Sequence, residues 1–213
     1  MNKGRLISFE GLDGAGKSTQ MSMLERWLVE LHVPFMHTRE PGGTPLGNEI
    51  RQLLLNRPEL AIVPLAEAFL FQADRAQHFA TLVIPALQEG KLVLTDRCFD
   101  ASIAYQGFAR GVDIALIEHL SLLATQGYKP DLTILLDLDP SEVHHRTDIT
   151  HDQSGTRDGR TRFDAEAEGF HQRVQEGFRA LARAHPERIK VIDASRTPEE
   201  IHQEIIGLVE AWL

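Results

Sequence analysis

The stretch RLISFEGLDGAGKST, residues 5–19, decides the fold of this chain. Its first six residues include the apolar Leu6, Ile7 and Phe9 and form a predicted β-strand. Residues 11–18 then match the pattern G-x-x-x-x-G-K-[ST] in full, and apolar periodicity predicts a helix that begins at residue 17. A strand, a glycine-rich loop and a helix in this order are typical of the phosphate-binding loop (P-loop) of proteins that bind nucleoside triphosphates.

Predicted strands and helices alternate along the rest of the chain. Strand-like apolar runs occupy residues 5–10, 33–38, 91–96, 131–137 and 188–193. Segments with apolar residues at every third or fourth position are predicted helices, and they occupy residues 17–32, 64–89, 112–126, 163–184 and 198–212. The alternation predicts an α/β fold of the P-loop NTPase type, with a five-stranded parallel sheet and helices on both faces. We expect one domain over residues 1–213, because no repeat or linker divides the chain.

Composition excludes several classes of function. The formal net charge of −9 argues against a nucleic-acid polymer as partner, since phosphate backbones are bound by basic surfaces. The longest apolar runs are far below the roughly 18 residues of a membrane span. Cys98 is the single cysteine, so an internal disulfide is impossible, and a reducing compartment suits the chain. Since the N-terminus lacks the pattern of a secretory signal, we expect a cytoplasmic protein.

The P-loop predicts a site for ATP and Mg²⁺. Its glycines let successive backbone N–H groups point into one concavity, and the following helix adds its positive N-terminal end. Lys17 is expected to reach the β- and γ-phosphates, and the Ser18 hydroxyl is expected to bind Mg²⁺. The predicted ATP-binding residues of the loop are Gly11, Leu12, Asp13, Gly14, Ala15, Gly16, Lys17, Ser18 and Thr19.

Asp13 is an unusual residue inside an anion-binding loop. Its carboxylate repels the phosphates beside it, so it requires a partner of its own, either a cation or a hydroxyl donor. A sugar hydroxyl of a second substrate would serve. The alternative is that Asp13 points outward into water.

Other segments have to identify the reaction, because GTPases, ATPases and kinases share the P-loop. The chain has no N-K-x-D stretch to read guanine and no D-x-x-G at the end of the third strand, which weakens the reading as a switch GTPase. Polar segments at the ends of the second and third strands lie where parallel sheets place their ligand crevice. Phe71 and Arg75, four residues apart, share one face of a predicted helix. The polar segments contain Arg39, Asp96, Arg97, Ser102, Tyr105 and Gln106.

Five motifs in order give the chain a specific resemblance. They are FEGLDGAGKST, TREPGGT, FQADR, DR-x-x-x-x-S-x-A-Y-Q-G and PDLTILLDLDP, and together they extend over most of the sequence. With these motifs the chain resembles the thymidylate kinases. The resemblance implies transfer of the γ-phosphoryl group of ATP to dTMP, with Mg²⁺, to give dTDP and ADP in dTTP synthesis. It also implies a homodimer.

The resemblance carries roles to the matching positions for dTMP. Phe71 would stack on thymine and Arg75 would bond a base carbonyl, with Ser102 and Gln106 in the segment that faces the base and sugar. Arg39 and Arg97 would hold the dTMP phosphate. Asp13 would contact the 3′-hydroxyl and nearby arginines, and Tyr105 would fill the space of a ribose 2′-hydroxyl. One departure is that family members often have Ser where this chain has Ala101, with its serine at the next position.

Residues 147–162 predict a mobile lid, because they hold a single apolar residue, two glycines and many charges. The variable positions of the P-loop hold no basic residue, so positive charge for the transition state has to come from elsewhere. The chain resembles the bacterial class, in which a lid arginine supplies it. Arg157 is the first choice, and Arg160 and Arg162 are the alternatives. Lys17, Asp13, Arg97 and Arg157 are thus the predicted catalytic residues.

Several alternatives remain open from the sequence. Asp96 would either bind Mg²⁺ through water or orient Arg97. Arg146 would pack on the adenine of ATP, by resemblance, or be an exposed helix charge. The chain could also be another deoxynucleotide or deoxynucleoside kinase of the same superfamily. A different class is a nucleotide-binding switch or a catalytically silent ATP-binding protein.

Overall fold

A computed structural model gives the fold. It describes residues 4–139, 141–142, 162–163 and 166–213. Of the residues singled out in the sequence, Arg146, Arg157 and Arg160 lie outside the described part, as does the predicted lid 147–162 except for Arg162.

A five-stranded parallel sheet forms the centre of the molecule, as predicted. The strands run in the order β2-β3-β1-β4-β5, and every neighbouring pair is parallel. Each differs from its predicted range by two residues at most. Their bounds are Arg5–Glu10 (β1), Phe35–Arg39 (β2), Leu92–Asp96 (β3), Leu132–Asp137 (β4) and Ile189–Asp193 (β5). The P-loop therefore leaves the middle strand, flanked by the ends of β3 and β4.

Helices connect the strands and cover the sheet. Because Leu132 to Leu136 are buried in succession, both faces of β4 are covered. The main helices are Lys17–Glu30 (α1), Pro45–Asn56 (α2), Pro64–His78 (α3), Ile84–Gln88 (α4), Phe99–Ser102 (α5), Ile114–Ala124 (α6), Glu168–Ala184 (α7) and Pro198–Glu210 (α8). Within the described ranges, no helix combines the length and the apolar character that crossing a bilayer requires.

The predicted helix 64–89 is continuous but not α-helical throughout. A π-helical turn over Phe79–Val83 joins α3 to α4. Pro85, at the start of α4, lacks the N–H that would bond back to the preceding turn, and a π turn accommodates such a break.

Two of these α-helices were missed by the sequence prediction. The first is α2, where Pro45 occupies the first turn and the Thr44 hydroxyl caps the helix by accepting the N–H of Gly47 at 2.9 Å. The second is α5 with the π-helical segment Ile103–Ala109 that continues it. Glycines at both places, in PGGTPLG and YQGFARG, masked the helical periodicity.

Candidate active site

The P-loop turns sharply between β1 and α1. Gly11 has a φ of 133°, and a Cβ on it would lie 2.4 Å from the carbonyl oxygen of Leu136 in β4, so only glycine fits there. Gly16, with a φ of 98°, precedes the first residue of α1. Ser18 and Thr19 are exposed in the first turn of α1, where backbone N–H groups have no partner within the helix. The turn thus offers backbone donors and a hydroxyl at a helix N-terminus.

Lys17 is folded into the loop. Its Nζ donates to the carbonyl oxygen of Leu12 at 3.0 Å and to that of Gly11 at 3.3 Å, and it lies 3.6 Å from the Oδ1 of Asp13. Burial, followed by the charge of Arg97, lowers the pKa of Lys17. The ammonium group therefore lies where it can bind an anion in the loop.

Arg97 joins the P-loop to the second predicted pocket. Its guanidinium donates to the carbonyl oxygen of Gly11 at 3.0 Å, to the Oδ1 of Asp13 at 2.8 Å and to the hydroxyl of Tyr105 at 3.1 Å. The guanidinium carbon also lies 4.9 Å from the centre of the Tyr105 ring, a cation–π contact. Arg97, which the sequence assigned to dTMP, is thus in direct contact with Gly11, which the sequence assigned to ATP, and with Asp13, which it assigned to both substrates.

Asp13 has the cationic partner that the sequence argument required. Its side chain is 49% exposed and pairs with Arg97. Partial burial alone would raise the pKa of Asp13, but the charges of Arg97 and Lys17 outweigh it, and the pKa is lowered. The imidazole of His171, in α7, lies near enough to contribute to this lowering, and sequence reasoning did not find that residue.

Arg39 and Asp96 end neighbouring strands. They are register partners in the β2–β3 ladder, so the side chains of Arg39 and Arg97 start from adjacent positions at the carboxyl edge of the sheet. Arg39 is exposed. The Oδ1 atom of Asp96 is buried, and no described group bonds to it. An unsatisfied carboxylate oxygen beside a phosphate loop fits a hard cation or its bound water.

Arg75 is buried in the wall beneath this edge rather than projecting freely from it. The side chain is 1% exposed. Its hydrogen bonds occupy four of its five N–H groups: Nε donates to Glu40 at 2.8 Å, Nη1 to Gln72 at 2.9 Å, to Ser102 at 3.0 Å and more weakly to Ser121 at 3.3 Å, and Nη2 to the carbonyl oxygen of Cys98 at 3.0 Å. A contact from Arg75 to a base carbonyl stays a prediction and would have to use the remaining N–H.

Acidic residues that sequence reasoning missed support this wall. Glu40 bonds His78 at 3.0 Å as well as Arg75, and the charge of Arg75 together with the hydrogen bond to His78 lowers the pKa of Glu40 against the effect of burial. Asp74 accepts the N–H of Gly42 at 3.0 Å. Burial, and then the charge of Glu40, raise the pKa of Asp74 to about 7. Glu40 and Asp74 stood within the quoted TREPGGT and FQADR motifs, which was the one available signal.

An aromatic cluster of Phe71, Tyr105 and Phe163 lies beside Arg97. Phe163 is 5% exposed, and its ring centre is 5.7 Å from that of Tyr105 and 6.2 Å from that of Phe71. Phe71 is partly buried, so part of its ring remains accessible. Phe163, which the sequence analysis placed at the start of a helix, precedes α7 and belongs to this cluster instead.

Comparison with known proteins decides the family. A sequence model described as thymidylate kinase matches residues 9–205. The chain belongs to the thymidylate kinase family. It is therefore a kinase of nucleotide biosynthesis built on a P-loop fold.

The chain matches individual thymidylate kinases over nearly the full length of both proteins. The chain is 45% identical to a thymidylate kinase of Pelotomaculum thermopropionicum over 99% of this chain and 95% of the relative. It is 50% identical to one of Leifsonia xyli over 95% of this chain and 92% of the relative. The crystal structure of the thymidylate kinase of Ehrlichia chaffeensis matches with a TM-score of 0.75 and 32% identity, over 97% of this chain and 98% of that one.

Two further residues assigned by resemblance to the thymidylate kinases are tied to Glu67, a fully buried carboxylate in α3. Gln106 is 1% exposed and donates to Glu67 at 3.0 Å. Arg162, one of the three lid arginines considered, also pairs with Glu67, and its Nε donates to the carbonyl oxygen of Leu54 at 3.1 Å. Its side chain therefore connects the end of segment 147–162 to α2 and α3.

Proposed function

We propose that this chain transfers the γ-phosphoryl group of ATP to dTMP, giving dTDP and ADP on the route to dTTP. Family membership supports the activity. Within the structure, the observation that carries the proposal is the contact of Arg97 with the P-loop at Gly11 and with Asp13 and Tyr105. One guanidinium at the junction of two pockets can bind a phosphate there and bring it in line with the triphosphate.

On the donor side, we propose that residues 11–19 hold ATP. Backbone N–H groups at the start of α1 and the Nζ of Lys17 face the β- and γ-phosphates. Arg146, outside the described residues, is proposed to pack on adenine. Mg²⁺, where bound, would be held by Ser18 and Asp96 together with phosphate oxygens, and it would neutralise charge that develops on the transferred group. The exposed hydroxyl of Ser18 and the unsatisfied Oδ1 of Asp96 fit that ion.

On the acceptor side, we propose that Arg39 and Arg97 hold the dTMP phosphate, since they start from neighbouring strand ends. Phe71 would stack on thymine. Asp13 would accept a hydrogen bond from the 3′-hydroxyl of dTMP, because its partly exposed carboxylate is ionised beside Arg97. Tyr105 would exclude a 2′-hydroxyl, since its ring is fixed by Arg97 and Phe163. Arg75, Ser102 and Gln106 would form the wall that faces the base.

The chemistry needs no nucleophilic side chain. An oxygen of the dTMP phosphate bonds to the γ-phosphorus while the bond from that phosphorus to the β,γ-bridging oxygen breaks and ADP leaves. The protein therefore has to align two anions and neutralise their charge. Lys17 and Arg97 supply two cations, and both pair with the Oδ1 of Asp13. Arg157, in the proposed lid at about 147–162, would bring positive charge to the transferred group.

We further propose a homodimer formed through α3 and α6. These helices pack on each other, and both expose large apolar side chains: Leu65 and Phe69 in α3, and Leu116 and Leu123 in α6. Exposed apolar patches on a single chain mark interaction surfaces. Phe69→Glu should shift the molar mass in solution from two chains to one, measured by light scattering. An unchanged mass would contradict this interface.

The remaining assignments concern context. We propose that residues 1–213 form one kinase domain, since the buried apolar residues of the described part form a common cluster. We also propose that it works in the cytoplasm, where the buried free thiol of Cys98 stays reduced.

A coupled ADP-release assay across nucleoside monophosphates tests the activity. We expect the highest kcat/KM with dTMP, a lower value with dUMP, and no turnover of thymidine, which lacks the phosphate that Arg39 and Arg97 would hold. A preference for thymidine would instead identify a deoxynucleoside kinase, an alternative that the comparisons do not support. ADP release that does not depend on an acceptor would contradict the kinase assignment.

A further inference from the structure

Arg97 has a backbone conformation that is unfavourable for any residue with a side chain. Its φ is 66°, in the left-handed region, where the Cβ crowds the following carbonyl oxygen. Residues other than glycine persist there when the surrounding structure holds them, and such residues cluster at functional sites. Arg97 is therefore strained at the point where the two proposed pockets meet.

Three hydrogen bonds hold the backbone on either side of this residue. The N–H of Arg97 donates to the carbonyl oxygen of Phe9 at 3.0 Å, which continues the ladder between β1 and β3. The hydroxyl of Thr95 donates to the carbonyl oxygen of Arg97 at 2.8 Å. The N–H of Cys98 donates to the Oε1 of Glu10 at 2.8 Å. Two of the three bonds thus come from side chains.

The polar side chains of Glu10 and Thr95 are energetically unfavourable at their positions because they are buried. They are 0% and 1% exposed and lie in the two central strands, where an apolar residue would pack without a desolvation penalty. The Oε2 of Glu10 has no described partner. Its Oε1 accepts the N–H of Cys98, which would otherwise be a buried N–H without a partner, and the charges of Arg97 and Lys17 also act on this carboxyl.

We propose that Glu10 and Thr95 are positioning residues for Arg97. They hold its backbone in the left-handed conformation, and that conformation aims the guanidinium at Gly11, Asp13 and the dTMP phosphate. The direction in which a side chain leaves the backbone follows the backbone conformation, so relaxation of φ would move the guanidinium away from all three. The proposal rests on the proposed role of Arg97 in holding that phosphate.

Kinetics of three variants test the role of Glu10. Glu10→Met removes the acceptor and should lower kcat/KM for dTMP by roughly 10- to 100-fold, mainly through a higher KM for dTMP, as expected for a displacement of about 1 Å. Glu10→Gln keeps a carbonyl acceptor and should recover most of the loss. Ser8→Ala is the matched control, because it removes a buried 3.0 Å bond to Thr133 in the same strand and should lower thermal stability without changing the KM for dTMP. Normal kinetics in Glu10→Met would overturn the proposal.

A double-mutant cycle separates positioning from general damage. In an Arg97→Ala background, Glu10→Met should cost less than about threefold further in kcat/KM, because its effect acts through Arg97. If the fold-losses in kcat/KM of the two single variants multiply in the double variant, the proposal is overturned. If Arg97→Ala alone kept normal dTMP kinetics, the proposed phosphate site would fail instead.

A second pair of variants gives the same test if Glu10→Met does not fold. Thr95→Val removes the hydroxyl that bonds the carbonyl oxygen of Arg97, whereas Thr95→Ser keeps it. We expect a raised KM for dTMP in the first variant and a near-normal value in the second. Equal values in the two would overturn the positioning role.

Discussion

Replacing Arg75 by methionine tests whether the buried wall beneath the site depends on a single guanidinium. Arg75 is 1% exposed and Glu40, its ion-pair partner, is 4% exposed. Removing one member of a buried ion pair costs ~3–5 kcal/mol, and Arg75→Met would remove the guanidinium from Glu40 and leave its hydrogen bond with His78. In a chain of this length, each kcal/mol lowers Tm by about 2–4 °C, so Arg75→Met should lower Tm by roughly 6–20 °C.

Scanning calorimetry or urea unfolding of matched variants measures this effect. Arg39→Met is the control, because Arg39 is exposed, and the same substitution there should change stability by less than ~0.5 kcal/mol while raising the KM for dTMP. Adding Glu40→Gln to Arg75→Met should restore part of the lost stability, since it removes the buried carboxylate charge that Arg75 no longer neutralises. A change in Tm below about 2 °C in Arg75→Met would refute the reasoning.

Three further predictions concern the lid, the sugar and the pH dependence. Arg157→Ala should lower kcat by roughly a hundredfold or more with a smaller change in dTMP affinity, and near-normal kcat would exclude this arginine. Tyr105→Ala should reduce the preference for dTMP over its ribose counterpart, measured as a ratio of kcat/KM; the same ratio as in the parent would contradict steric exclusion. Because the pKa of Asp74 rises from 3.8 to about 7 on folding, this carboxyl favours the fold at low pH, and its contribution is lost between about pH 4 and pH 7. At ~1.4 kcal/mol per pKa unit, this loss reaches about 4 kcal/mol of the free energy of unfolding. Asp74→Asn should therefore flatten the dependence of that free energy on pH between pH 5 and pH 8, measured by urea unfolding. Parallel pH profiles of the variant and the parent would contradict this.

The sequence predicted the sheet well because its strands are apolar and separated by strong signals. A complete P-loop pattern after β1 and the apolar run of Leu132 to Leu136 in β4 each have one reasonable structural reading. Segment 99–109 has no such reading, because the helical stretch FDASIAYQGFA includes a glycine, and its π-helical half depends on tertiary packing against α7.

The residues of the candidate site were easier to predict than their partners. Asp13 stood out because it is an acid inside a phosphate loop, and Arg97 because it closes the third predicted strand, and the structure joins them. Glu67 gave no signal, and Glu10 gave none beyond its place in the motif FEGLDGAGKST, because burial of a carboxylate depends on what distant segments bring to it. Arg75 was identified from its helical spacing to Phe71, but spacing alone could not reveal that most of its donors are already occupied, by Glu40, Gln72, Ser102 and Cys98.

A crystal structure with dTMP and a non-hydrolysable ATP analogue tests the central claim most directly. We predict that the dTMP phosphate lies within about 3.2 Å of the guanidinium groups of Arg39 and Arg97, with thymine against Phe71 and the triphosphate along residues 11–19. A nucleotide monophosphate bound elsewhere, with Arg97 and Phe71 far from it, would contradict the account.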